Sequence, residues 1–211
     1  MAERGILAVV SGFAGSGKGT IMQELLSRYD NYALSISATT RAPRAGEEHG
    51  RHYFFVSTEE FERMIREDAL LEHARYVSNY YGTPKAYVEE KLSEGKDVIL
   101  EIEAQGALLV REKYPDAVLL FVMPPDVNEL YHRLKTRGTE TEEVIRKRMA
   151  RAAEEAELIV KYDYLVINDD LDECVARVRT ILQASHERTG RQAERLNTIK
   201  EQFKLFLKEE K

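Results

Sequence analysis

Short apolar runs alternate along the chain with segments in which apolar residues recur every three or four positions. The runs over residues 6–10, 97–103 and 117–123 are rich in Val, Ile and Leu, which is typical of strands buried on both faces of a parallel sheet. Weaker strand patterns cover residues 32–37, 70–76 and 164–170. Helical periodicity covers residues 18–29, 58–68, 84–94, 126–135 and 171–186, and a further segment around 146–148. This alternation predicts an α/β fold with a parallel central sheet and helices on both faces.

A glycine-rich stretch joins the first predicted strand to the first predicted helix; it reads Ser11-Gly12-Phe13-Ala14-Gly15-Ser16-Gly17-Lys18-Gly19-Thr20. Because glycine lacks a Cβ, successive backbone N–H groups can turn toward phosphate oxygens, and the helix N-terminus adds partial positive charge. Lys18 stands where it can reach the β- and γ-phosphates as a mobile charge. The stretch from Gly12 to Thr20 therefore predicts a P-loop that binds ATP.

The metal ligands of this P-loop are less well defined. Residue 19 is Gly where the motif G-x-x-x-x-G-K-[ST] has a hydroxyl residue, so the first hydroxyl follows at Thr20. Glu101 lies at the carboxyl end of a predicted parallel strand, where ligands bind in such folds. Mg²⁺ keeps several of its waters and accepts indirect ligands, so we expect Thr20 and Glu101 to contact it, in part through water.

Composition limits the class of protein. The 211 residues, 43% of them hydrophobic, suffice for one substantial α/β core with a small inserted lobe. Without an apolar run long enough to cross a bilayer or a signal-peptide core, we expect a cytoplasmic protein that does not bind membranes. The net charge of -6 argues against nonspecific nucleic-acid binding, and the one cysteine, Cys174, excludes an intramolecular disulfide.

Two arginines flank a proline in Arg41-Ala42-Pro43-Arg44. Guanidinium groups bind phosphate oxygens in a bidentate manner, which suits an anion site, but an isolated pair of this kind is also typical of a solvated turn. The surrounding residues, 37–55, have the form S-x-T-T-R-x-P-R-x-G-E-x-x-G-x-x-Y-x-F. With this string and its P-loop, the chain resembles the guanylate kinase family.

The resemblance implies a three-layer P-loop α/β/α fold. Residues 1–36 and 84–190 would form the core, and residues 37–83 an inserted small GMP-binding β lobe. A mobile lid would lie at about residues 136–150. The implied cofactors are ATP and Mg²⁺, the implied substrates are GMP and dGMP, and the working form would be a monomer or a homodimer.

The same resemblance assigns the residues that hold the phosphate of GMP. Arg41, Arg44 and Tyr53 would bind this phosphate, Tyr81 would reach it, and Ser37 would lie close by. Two guanidinium groups and tyrosine hydroxyls offer hydrogen-bond donors, which is what a phosphate requires.

Three further residues would form the guanine pocket. Glu72 would accept from guanine N1–H and its 2-amino group, and Thr83 would donate to O6. A carboxylate at this place distinguishes guanine from adenine, because adenine presents an acceptor at N1. Glu103 stands where the family commonly has Asp, so its longer side chain makes the base specificity less secure.

The lid motif follows the helix predicted over residues 126–135. It reads Arg137-Gly138-Thr139-Glu140-Thr141-Glu142-Glu143, with Arg148 five residues later. By resemblance, Arg137 and Arg148 close over the transferring phosphoryl group, and Asn168 lies near the adenine of ATP.

The implied reaction converts ATP and GMP into ADP and GDP, with Lys18, Arg41, Arg137 and Arg148 as the catalytic residues. The acceptor is a phosphate oxygen that is already ionised, so none of the five histidines has to act as a base. Two alternatives remain open. One is a kinase of another phosphorylated acceptor, and the other is a non-catalytic guanylate-kinase-like module that binds phosphopeptides.

The last segment, residues 191–211, extends beyond the family pattern. Leu196, Ile199, Phe203 and Phe206 are spaced by 3, 4 and 3, which predicts one apolar stripe on a helix. The stripe is too short for an independent coiled coil, so we expect this helix to dock on its own domain or on a second subunit.

Overall fold

The computed structural model of the chain describes residues 4–76, 78–136 and 141–209. The strands are β1 (Leu7–Gly12), β2 (Tyr32–Leu34), β3 (Ala38–Thr39), β4 (Phe54–Phe55), β5 (Leu70–Tyr76), β6 (Asn79–Pro84), β7 (Asp97–Glu101), β8 (Val118–Met123) and β9 (Tyr164–Ile167). The helices are α1 (Lys18–Arg28), α2 (Thr58–Arg66), α3 (Lys85–Ser93), α4 (Ala104–Lys113), α5 (Val127–Thr136), α6 (Glu142–Ala156), α7 (Leu171–His186) and α8 (Ala193–Glu209).

A five-stranded parallel sheet in the order β2-β7-β1-β8-β9 forms the centre of the fold. Successive residues of β1 point to opposite faces, and both faces are buried. Ala8 and Val10 belong to the core shared with α1 and α7, whereas Leu7 and Val9 belong to the core shared with α3 and α4. This arrangement confirms the predicted α/β/α layers and explains why the strand is apolar at every position.

A second, four-stranded sheet in the order β4-β3-β6-β5 covers part of the region predicted as the GMP lobe. It has its own small core, in which the Phe61 ring of α2 stacks on Tyr80 with centroids 5.2 Å apart. Neighbouring residues of β5 connect the two cores, because Leu70 packs in the small one and Leu71 in the main one. Glu72 follows directly, so its backbone is fixed by both.

The carboxyl end of β7 differs from the prediction. The strand was expected to extend through residue 103, but it ends at Glu101, and Glu103 is the N-cap residue of α4, a helix that the pattern did not predict. The turn between them is held by the Ser11 hydroxyl, which donates to the Ile102 carbonyl at 2.8 Å. Glu101 therefore ends the strand and Glu103 precedes the helix, and the two acids have different surroundings.

The apolar stripe of the last helix is exposed. Phe203 and Phe206 of α8 are 65% and 58% exposed, and Leu205 and Leu207 are exposed as well. The expectation that this stripe docks on its own domain is therefore wrong for the described part of the chain, and docking on a second subunit stays a prediction. Among the described helices, none combines the length and the apolar character needed to span a bilayer.

Candidate functional site

The loop after β1 has the backbone conformation of a phosphate-binding loop. Gly12, Gly15 and Gly17 all have positive φ. At Gly17, with φ of 89°, a Cβ would lie 2.3 Å from Asn168 Nδ2, so both the conformation and the space require glycine. Gly17 is also the N-cap residue of α1, so the positive end of the helix lies at this loop.

A pocket of about 410 Å³ lies in front of this loop and contains most of the residues predicted to bind ATP and metal. Its lining consists of Phe13, Ala14, Gly15, Gly17, Lys18, Gly19, Thr20, Gln23, Glu101 and Arg148. Lys18 Nζ donates to the Gly12 carbonyl at 2.5 Å, which keeps the ammonium group over the loop. Arg148 reaches the pocket from α6, whereas Arg137 lies outside the described residues.

The far side of the P-loop is supported by two side chains. Asn168 is buried, and its Nδ2 donates to the Ser16 carbonyl at 2.7 Å. Arg133 on α5 donates to the Asn168 carbonyl at 2.9 Å and pairs with Glu129 at 2.6 Å. Sequence reasoning selected Asn168 but missed Arg133. In sequence, Glu129 and Arg133 form only an i,i+4 pair, which is typical of a solvated helix surface.

The donors near the P-loop fit Mg²⁺. Thr20 and Glu101 both line the pocket, and a Cβ at Gly19 would be 3.8 Å from Glu101 Oε1, so the carboxylate stands next to the start of α1. Hydroxyl and carboxylate oxygens suit this hard cation. In the described part of the chain, no group of three or more His, Cys, Asp or Glu forms a metal cage. The site thus matches an ion held by few protein ligands together with water and phosphates.

The inserted sheet carries a cluster of cationic and aromatic side chains. The Arg41 guanidinium lies 5.5 Å from the Tyr53 ring centroid, and the rings of Tyr53 and Tyr81 are 6.2 Å apart. The structure therefore brings together three of the residues predicted to bind the acceptor phosphate. Arg44 is exposed in the same turn, and the Ser37 carbonyl accepts from the Phe54 N–H at 2.8 Å, which connects β3 to β4.

Sequence reasoning did not assign a role to Glu47, which lies in this cluster. Its Oε1 accepts from Arg41 at 2.8 Å, and its Oε2 accepts from the Arg44 backbone N–H at 2.7 Å. These two hydrogen bonds hold the pKa of the Glu47 carboxyl down at about 2. Glu47 is part of the string shared with the family, but the string alone does not show which of its residues contact one another.

Glu72 and Thr83, predicted to bind guanine, are adjacent and buried. The Thr83 hydroxyl donates to Glu72 Oε1 at 2.8 Å, and Glu72 is only 8% exposed. Burial raises the pKa of Glu72 above its ordinary value, because the charged form is poorly solvated. Gly106 on α4 leaves room for this carboxylate, since a Cβ there would be 3.3 Å from Glu72 Oε2.

Glu103, the third residue predicted to bind guanine, is far more exposed than Glu72. Its side chain is 74% exposed and pairs with Arg151 of α6 at 3.6 Å. It is near enough to Glu72 to add a smaller, like-charge contribution to the raised pKa of that residue, after burial. Glu101 lines the P-loop pocket, and Gly106 lies beside the Glu72 carboxylate, so the short segment after β7 borders both groups of residues.

Taken together, the parallel sheet, the glycine-rich loop at the N-terminus of α1 and the inserted sheet that carries Arg41, Tyr53 and Tyr81 define a P-loop α/β protein with a small inserted lobe. The sequence profile of the guanylate kinase family matches residues 4–185. A guanylate kinase of Streptococcus thermophilus is 54% identical over 192 residues, covering 90% of this chain and 92% of that protein. A guanylate kinase of Halalkalibacterium halodurans is 53% identical over 199 residues, covering 94% and 98%.

The fold leads to the same family. A crystal structure of guanylate kinase from Anaplasma phagocytophilum matches with a TM-score of 0.70 and 34% sequence identity, and 90% of each chain is covered. The chain belongs to the guanylate kinase family.

Proposed function

We propose that this chain transfers the γ-phosphoryl group of ATP to the phosphate of GMP, and of dGMP, which yields ADP and the nucleoside diphosphate. One observation supports the proposal most directly. The segment that follows β7 borders both the pocket lined by Lys18 and Arg148 and the buried pair of Glu72 and Thr83, because Glu101 lines the pocket and Gly106 lies beside the Glu72 carboxylate.

The ATP phosphates would bind in the P-loop pocket, residues 12–20. Backbone N–H groups at the start of α1 and the Lys18 ammonium group would contact the β- and γ-phosphates. Asn168 and Arg133 position the loop from behind, and Asn168 would also lie near the adenine. Thr20 and Glu101 would hold Mg²⁺, in part through water, and the bound ion would neutralise charge on the β- and γ-phosphate oxygens.

GMP would bind along the inserted sheet. Arg41, Arg44, Tyr53 and Tyr81 would hold its phosphate, with Ser37 nearby. The Glu72 carboxylate would accept from guanine N1–H and the 2-amino group, and Thr83 would donate to O6. Glu103 would add a further acceptor for the base, and its exposure favours a weaker contact than that of Glu72.

This phosphoryl transfer requires positioning of the reactants and neutralisation of charge, and it needs no general base. The accepting phosphate oxygen of GMP is already ionised near neutral pH, so it can attack the γ-phosphorus of ATP in line with the departing ADP oxygen. Lys18, Arg41, Arg137 and Arg148 would stabilise the charge on the transferring group. Closure of the lid, residues 136–150, over the bound pair would exclude water and limit ATP hydrolysis.

A turnover assay with four acceptors tests the proposal. Purified protein with MgATP should phosphorylate GMP and dGMP, and should act on AMP and UMP at least about a hundredfold less efficiently. The Glu72 carboxylate repels the acceptor at adenine N1, and uracil lacks the 2-amino group that guanine donates. Lys18→Ala should lower kcat/KM by several orders of magnitude, whereas Lys147→Ala, which removes an exposed lysine paired with Glu143, should not. Preference for AMP or UMP, or absence of turnover, contradicts the proposal.

A further inference from the structure

The Arg41–Glu47 pair is the least exposed of the ion pairs that the described arginines and lysines of the inserted lobe make with acids of the same lobe. The two side chains are 16% and 19% exposed, and Arg41 Nη2 lies 2.8 Å from Glu47 Oε1. The same guanidinium donates through Nη1 to the Ala42 carbonyl at 2.7 Å. It also lies against the rings of Tyr53 and Phe55. These contacts fix the plane of the guanidinium and leave further N–H donors for an anion.

The second oxygen of Glu47 holds the backbone of the same turn. Oε2 accepts from the Arg44 N–H at 2.7 Å, and the Arg44 carbonyl in turn accepts from the Glu47 N–H at 3.0 Å. One carboxylate therefore spans a side chain and a main chain, and both belong to the arginines that would bind the acceptor phosphate. A carboxylate at this place would repel that phosphate if its charge were all that mattered.

We propose that Glu47 is a positioning residue for phosphate recognition: it orients the Arg41 guanidinium and the Arg44 turn before the acceptor arrives. This inference rests on the proposed function, because it takes the monophosphate of GMP as the anion. Its benefit is preorganisation, since a guanidinium already held in the correct plane loses less side-chain freedom when the phosphate binds.

Geometry and charge make opposite predictions for Glu47→Gln. The amide removes a negative charge beside the phosphate, which by electrostatics alone strengthens GMP binding. It also replaces one of the two accepting oxygens by an NH₂ group, so it can no longer accept from both Arg41 and Arg44 in the observed way. Glu47→Asp keeps the charge but is one methylene shorter, and it too fails to span both donors.

The test is the dissociation constant of GMP, measured by titration calorimetry, beside that of guanosine, measured by NMR titration. Glu47→Gln and Glu47→Asp should each raise the dissociation constant of GMP about tenfold or more, which corresponds to the loss of one charge-assisted hydrogen bond. They should leave guanosine binding and KM for ATP unchanged. Glu48→Gln is the matched control, because Glu48 is the next residue, loses the same charge and is 66% exposed in a long pair with Arg51; it should stay within about twofold of wild type.

Two outcomes overturn the inference while wild-type turnover of GMP stands. In one, Glu47→Gln binds GMP as tightly as wild type or more tightly, so the carboxylate contributes only repulsion. In the other, guanosine binding weakens as much as GMP binding, which would mean that Glu47 supports the structure of the whole lobe. If wild-type protein fails to bind GMP at all, the proposed function itself is wrong, and this result is distinct from both.

Discussion

The Thr83 hydroxyl donates a 2.8 Å hydrogen bond to the Glu72 carboxylate, and both side chains are buried. The two groups expected to recognise guanine therefore satisfy each other. On base binding, Thr83 would turn to O6, and Glu72 would gain two N–H donors from guanine. One internal hydrogen bond is exchanged for three with the ligand, so the pair keeps the pocket satisfied until the correct base arrives.

The raised pKa of Glu72 predicts pH-dependent GMP binding. Guanine N–H groups need the ionised carboxylate, so GMP affinity should fall as pH decreases through a value above the ordinary glutamate pKa of 4.5. ATP affinity should change less over the same range. Calorimetric titrations of wild type and Glu72→Gln between pH 4.5 and neutrality measure this. GMP binding by wild type that stays constant down to pH 4.5 would contradict it.

The same pKa predicts the opposite pH dependence for stability of the ligand-free protein. The folded state holds the Glu72 proton more tightly than the unfolded state does, because its pKa is raised on folding. The contribution of Glu72 to the free energy of unfolding is therefore lost as pH rises from the ordinary value through the raised one. Glu72→Gln should remove this loss, which denaturant titrations at several pH values detect. An identical pH slope in the variant would show that Glu72 is not its source.

Gly17 is predicted to be irreplaceable in the P-loop. In Gly17→Ala the new Cβ would lie 2.3 Å from Asn168 Nδ2, and the backbone has φ of 89°. The loop must shift, so ATP binding should weaken by at least about tenfold. Gly50→Ala is the control, because φ there is also positive, at 77°, but the nearest atom would be 3.9 Å away. Equal loss of ATP affinity in both variants would contradict this explanation.

Arg133 should support ATP binding without affecting GMP. Arg133→Met removes the hydrogen bond to the Asn168 carbonyl and leaves that side of the P-loop less well held. We expect KM for ATP to rise about tenfold, with the dissociation constant of GMP unchanged. Arg28→Met on α1 also deletes ion pairs, with Glu24 and Asp172, but these lie away from the pocket lining and should not matter. The prediction is wrong if Arg133→Met changes the dissociation constant of GMP and leaves KM for ATP as it is.

The exposed stripe of α8 should contribute little to the stability of the folded chain. Replacing Phe203 and Phe206 by Ser should change the free energy of unfolding by less than about 0.5 kcal/mol each, because neither side chain is buried. By contrast, Phe61→Ala should cost about 3–5 kcal/mol, since Phe61 is fully buried and stacks on Tyr80. Urea unfolding at low protein concentration compares the three variants. A large loss in Phe203→Ser would mean that α8 is docked.

Sequence patterns predicted the central sheet well because its strands are buried on both faces, which leaves a continuous apolar signal. The patterns predicted less well those features that depend on contacts between distant parts of the chain. Helix α4 was missed, and its start at residue 104 explains why Glu101 and Glu103 have different surroundings. Helix α8 was predicted, but the pattern did not reveal that its apolar stripe is left exposed.

In the candidate site, too, local motifs were predicted and tertiary contacts were missed. The P-loop follows from a local motif, and the structure does gather Lys18, Thr20 and Glu101 at one pocket. Glu47 contacts Arg41 and Arg44 across a turn, and Arg133 of α5 contacts the Asn168 carbonyl after β9. The sequence around them does not show these contacts. Their roles therefore depend on the three-dimensional structure.

The central claim is that two separate anion sites serve one phosphoryl transfer, and crossed binding measurements test it most directly. Titration calorimetry would determine ATP and GMP affinities for Lys18→Ala and for Arg41→Ala. The account predicts that Lys18→Ala loses ATP affinity and keeps GMP affinity, whereas Arg41→Ala loses GMP affinity and keeps ATP affinity. Equal weakening of both nucleotides by either variant, or the reverse pattern, would contradict it.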